Sequence, residues 1–109
     1  MNIPPDADHI GFYRGFDLFY AFKPQALFSA RAMAYLYTRS KEQNVLDFVQ
    51  VASVRWELTD GLTAEEVERR LAVDVISRAK IRIQDRSYQN CEVYTVELDS
   101  ISMARARAA

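Results

Sequence analysis

The chain has 109 residues, of which 50% are hydrophobic and 27% charged, with three Gly, three Pro, one His and one Cys. That length suits a single small domain, and the low Gly and Pro content excludes a low-complexity or disordered chain. A formal net charge of −1 argues against a surface built wholly for nucleic acid, and a single cysteine rules out an internal disulfide.

Residues 1–9 contain Pro4, Pro5, Asp6, Asp8 and His9 and read as a flexible lead-in with no basic-then-apolar secretory pattern. Residues 10–22 are the most aromatic stretch. Phe16, Leu18, Tyr20 and Phe22 alternate as in a strand, whereas Phe12, Phe16, Phe19 and Tyr20 would share one face of a helix. Gly11 and Gly15 disfavour helix and the aromatics favour strand, so an aromatic N-terminal strand is expected.

Pro24 breaks this run. Residues 25–42 are rich in Ala, Leu, Met, Gln and Arg, which are good helix formers, and predict a helix that is apolar nearly all round. Over 45–60, Val45, Phe48, Val49, Ala52 and Trp56 fall on one helical face. Val54, Trp56 and Leu58 could instead alternate inward as a strand. Gly61, which can take the left-handed conformation that ends a helix, tips this segment to helix.

The sharpest local signal follows. Thr63 and Glu66 form a capping-box pair, Leu62 and Val67 have hydrophobic-staple spacing, and Ala64, Val67, Leu71, Val75 and Ala79 make one stripe. A helix over 63–79 is expected, with Glu65–Arg69 and Glu66–Arg70 paired along its outer face and a bend or two-sided burial near Ala72. Residues 80–98 read as a β-hairpin, with Ile81 and Ile83 on its first strand and an inner second strand from Cys91 to Leu98. Residues 100–109 should fray. The expected architecture is therefore α+β: an aromatic strand, three helices (about 25–42, 45–60 and 63–79), and a C-terminal hairpin (about 80–98) that shares the first strand's sheet.

Function is far less legible. No Gly-rich phosphate loop, nucleophile elbow or paired-His spacing is present, so neither a cofactor nor a metal site is expected. A nucleophile pair of Cys91 and His9 would need the N-terminus to lie beside the second hairpin strand, and a small enzyme with a carboxylate-based site is the weakest of three readings. The leading reading is a non-catalytic, cytoplasmic interaction, regulatory or adaptor protein that needs no membrane. It would act as a homodimer or on a protein partner through exposed aromatics at Phe12, Tyr13, Phe16, Phe19 and Tyr20, because so many large rings are hard to bury in one small core.

The alternative is nucleic acid. Three helices and a hairpin are the element order of a winged helix, and Thr63–Lys80 resembles a helix-turn-helix, with Val67 and Leu71 inward and Ala72-Val73 at the turn. The resemblance implies DNA contact by Arg78, Lys80, Arg82 and Arg86. Glu68 and Arg78 stand where that pattern calls for a small and an apolar residue.

Overall fold

A computed structural model of the chain describes residues 2–25, 30–42, 45–88 and 91–101. Tyr13 and Phe16 face each other across a two-residue turn in which both Arg14 (φ 46°) and Gly15 (φ 95°) are left-handed. Positive φ at both positions is the backbone that joins twisted antiparallel strands tightly. The aromatic stretch is thus a hairpin of two strands, β1 (Asp8–Tyr13) and β2 (Phe16–Lys23), where a single strand was expected. The first of them begins inside the predicted flexible lead-in.

Two further strands extend the meander: β3 (Arg31–Ser40) beside β2, and β4 (Phe48–Arg55) beside β3, both antiparallel. After β4 a short 3-10 turn, Trp56–Leu58, leads through Gly61 (φ 80°) to Thr63, whose side chain accepts from the Glu66 amide and caps α1 (Ala64–Asp85). The chain then returns to β5 (Val93–Glu97), which pairs parallel to β4. The result is a five-stranded sheet in the order β1-β2-β3-β4-β5, with one 22-residue helix across β3 and β4.

These elements overturn the expected three helices and C-terminal hairpin. The helix predicted over 25–42 is a strand where it is described; Leu27 and Phe28 lie outside the described residues, as does most of the tail predicted to fray. Ala32, Ala34, Leu36 and Thr38 are buried under α1 while Met33, Tyr35 and Tyr37 take the opposite face. Small side chains serve here to let a helix approach the sheet, and intrinsic helix propensity yields to that packing. The helix predicted over 45–60 is β4, buried at seven of its eight positions. A strand covered on both sides has no alternation and reads as helix or strand alike.

Thr59 caps the 3-10 turn, and two residues on, Gly61 adopts the left-handed conformation the sequence suggested. α1 runs six residues beyond the expected end of the third helix, so Lys80–Asp85 are helical and no hairpin forms. Ile83 continues the stripe four residues after Ala79, whereas Ile81 points to solvent. The helix is unbroken through Ala72, and Val73, off the stripe, is 64% exposed. One continuous helix leaves no helix-turn-helix, and the winged-helix arrangement is absent. β5 is an edge strand, not an inner one.

The core lies between α1 and the sheet. Val67, Leu71, Val75, Ala79 and Ile83 meet Leu18, Ala34, Leu36, Phe48, Ala52 and Val54. At one end Phe16, Phe48 and Tyr88 pack ring to ring, with centroids 5.3–6.0 Å apart. Two buried polar side chains, Thr38 and Gln50, are hydrogen-bonded within the core. The Thr38 hydroxyl donates to Phe48 O (2.9 Å) and accepts from Phe48 N (3.0 Å). Gln50 donates to Tyr94 O (3.3 Å) and accepts from Arg82 Nε (2.7 Å), whose guanidinium lies 3.6 Å from the Tyr94 ring centre. That contact fastens the far end of α1 to the fifth strand.

Three substitutions test this packing. Leu71→Ala removes a fully buried anchor and should lower stability by about 3 kcal/mol in urea unfolding, against under about 0.5 kcal/mol for Val73→Ala on the outer face. Ala34→Leu should cost about 1–3 kcal/mol by wedging α1 away from the sheet.

Candidate interaction surface

A sheet has two faces and α1 covers one. The register places Phe12 of β1, Asp17, Phe19, Ala21 and Lys23 of β2, Met33, Tyr35, Tyr37 and Arg39 of β3, and Val49, Val51 and Ser53 of β4 on the other. Val93, Thr95 and Glu97 of β5 continue it to the edge. No described element packs over these residues.

Cross-strand pairing gives the face a centre and a rim. In the centre Phe19 opposes Tyr37, Tyr37 opposes Val49, Ala21 opposes Tyr35, and Tyr35 opposes Val51. The Tyr35 and Tyr37 rings lie nearly parallel, 6.0 Å apart at 13°. Ala21, Val49 and Val51, the small side chains set between these rings in the register, are buried. The rings themselves stay partly exposed, and at the margins Phe12 is 57% and Val93 53% exposed.

The rim is charged and paired within itself. Asp17 holds His9 (3.1 Å) and Lys41 (3.7 Å), Glu97 holds Arg31 (3.3 Å) and Arg55 (3.4 Å), and Lys23 meets Asp6. Arg39 places its guanidinium 5.4 Å from the Phe19 ring, and Lys41 its ammonium 5.4 Å from Phe12. A paired rim of both signs around an apolar centre is the layout of a protein contact surface. Pairs this exposed add little stability; what they do is place charge in a fixed pattern.

The five aromatics expected to form the contact divide between the two faces. Phe12 and Phe19 lie on the open face. Phe16 is buried in the core, and Tyr13 and Tyr20 lie on the helix side, Tyr13 beneath Lys80 (5.1 Å) and accepting a hydrogen bond from Gln84. Tyr35, Tyr37, Met33, Val49 and Val93 were missed. The signal for Met33, Tyr35 and Tyr37 was present in their alternation with Ala32, Ala34, Leu36 and Thr38.

The basic residues assigned to DNA lie along the C-terminal end of α1 and at its cap. Arg78 is tied to Asp74 (2.9 Å), Lys80 sits over Tyr13, Arg82 is stacked on Tyr94, and Arg86 caps the end of α1. Asp74–Arg78 is the pair four apart that forms on this helix among the described residues; Glu66 serves the cap instead. His9 and Cys91 belong to opposite edges of the sheet, so they do not meet as a nucleophile pair. Among the described residues no group of three or more His, Cys, Asp or Glu is placed to hold a metal ion, and no helix is long and apolar enough to cross a membrane. A polar cleft of about 350 Å³ between the Arg14-Gly15 turn and the end of α1 carries Arg14, Arg86 and Glu42 together, with no nucleophile and base in contact.

Comparison with known proteins adds no assignment: no family model matches the sequence, and no curated protein or solved structure is significantly similar to it.

Burial raises the Tyr37 phenol above its ordinary range, with Tyr35 and Asp6 adding to the shift. On the helix side burial, with the Glu68 carboxylate, raises Tyr20, whose hydroxyl has no hydrogen-bond partner among the described residues. Both folded-state pKa values exceed those of the unfolded chain. Their contribution to stability is therefore complete below about pH 10 and is lost as pH rises through the folded values. An ultraviolet titration should show two late-ionising tyrosines, and Tyr37→Phe should remove one of them.

Proposed function

We propose that the protein is a small non-catalytic interaction protein that works as a homo-oligomer and offers the open face of its sheet to a protein partner. One observation carries this reading: β4 is buried on both sides in a sheet that has a helix on only one. Solvated sheet faces ordinarily alternate polar residues outward. At the centre of this face the outward positions are Phe19, Tyr35, Tyr37, Val49 and Val51, a composition suited to a second layer. Aromatic rings that lose little entropy on burial make effective anchors, and the ion-paired rim would set orientation.

The charge pattern favours protein over nucleic acid. Lys23, Lys41, Arg31 and Arg55 are each already matched by a carboxylate, which would have to be displaced before phosphate could bind.

Site-specific photo-crosslinking tests the surface directly. A photoreactive phenylalanine at position 37 should give a discrete protein adduct in lysate of the source organism, and one at Ile81 on the outer face of α1 should not. Tyr35→Asp should abolish the adduct at position 37 while leaving the far-ultraviolet circular dichroism unchanged. Equal labelling at both positions, or none at 37, contradicts the reading.

A further inference from the structure

The two edges of the sheet are built differently. β1 is interrupted by a shift in register between His9 and Gly11, which spoils it as a template for another strand. β5 has no bulge, proline or lysine in Val93–Glu97. Its hydrogen bonds to β4 fix which of its groups are free. The Val49 amide donates to Glu92 O (2.7 Å) and the Leu98 amide to Ser53 O (2.8 Å), so the even-numbered residues of this strand turn their peptide groups toward β4. The N–H and C=O of Val93, Thr95 and Glu97 therefore point away from the sheet. Among the described residues the group that reaches them is the Cys91 thiol, against Val93 O at 2.8 Å, a weak donor that leaves the carbonyl a second lone pair.

The geometry points to a second copy of this chain as the occupant of that edge: β5 pairs antiparallel with β5 of its partner about a two-fold axis at Thr95. This deepens the homo-oligomeric part of the proposed function and rests on it.

The sequence of the strand is self-complementary in this register. Thr95 meets Thr95, Tyr94 meets Val96, Val93 meets Glu97 and Glu92 meets Leu98, so no like charges are opposed. Threonine pairs and aromatic–β-branched pairs are among the favourable cross-strand neighbours. Glu97, the acid that comes to lie beside the partner strand, is already neutralised by Arg31 and Arg55. Sterics permit the arrangement as well. α1 lies over β3 and β4, so at about 4.8 Å per strand the two helices would stand roughly 19 Å apart, beyond their own width. The product is one continuous sheet whose open face is twice as wide, with the exposed Val93 side chains brought next to the new seam.

Light scattering at micromolar concentration should give about twice the 12.6 kDa chain mass. Thr95→Pro is the diagnostic change, because the Thr95 N–H takes no part in pairing with β4 and its loss removes hydrogen bonds only between copies. That variant should scatter as a single chain with an unchanged circular dichroism spectrum, and Thr95→Val should stay paired. A second readout does not depend on the proline being tolerated. In a Cys91→Ser background, Thr95→Cys should oxidise to a disulfide-linked dimer, since opposed residues of an antiparallel pair lie within disulfide reach, and Val93→Cys should not. A single-chain mass for the natural sequence, an undiminished dimer in folded Thr95→Pro, or equal crosslinking at 93 and 95 overturns the inference. Loss of the adduct at position 37 instead bears on the open face and leaves this edge pairing standing.

Discussion

One long helix and a five-stranded sheet cannot cover each other completely. A helix is about 10 Å wide with its side chains, and five strands span about twice that, so α1 closes the middle of one face and nothing more. The rest of the molecule follows from that mismatch. Beneath the helix the sheet presents Ala32, Ala34, Ala52 and Leu36, small enough at the centre for close approach. Beyond its margins Tyr13, Tyr20, Phe22 and Tyr94 fill the flanks as partly buried side chains. On the other face Ala21, Val49 and Val51 lie buried opposite Tyr35 and Tyr37 in the register.

Two polar devices keep this half-closed structure in register. Thr38 exchanges both of its hydroxyl hydrogen bonds with the Phe48 backbone where β3 meets β4. The set of Gln50, Arg82 and Tyr94 joins the helix to the one parallel strand. A buried carboxamide that lost Arg82 would leave its oxygen without a donor, so this contact both fixes where β5 docks and adds to stability.

What could be read from the sequence was local. Thr63 with Glu66, and the stripe from Val67 to Ala79, describe the helix because a cap and a period of 3.6 depend only on near neighbours. The strands depended on partners far along the chain. Residues 31–40 carry alanine, leucine, methionine and arginine, which favour helix when isolated, and only the arrival of α1 on one face makes their alternation meaningful. β4 carried no period at all, since residues on both of its sides are buried. Lys80–Ile83 mimicked a strand by alternating, although Ile83 also extended the helical stripe. The composition of the open face was half legible for the same reason. An excess of aromatics was visible in the composition, but which rings face outward is decided by strand parity. Phe16 therefore went to the core, and Phe19, at an odd spacing from it along the same strand, to the open face.

The central claim is that the open face is covered when the protein is at work. Hydroxyl-radical footprinting read by mass spectrometry addresses it whatever the partner is, by comparing the chain in lysate of the source organism with the purified chain at high dilution. The account predicts that oxidation of Met33, Tyr35 and Tyr37 is suppressed in the lysate while that of Ile81 on the outer face of α1 is unchanged. Equal oxidation of the open-face residues in both samples would contradict it.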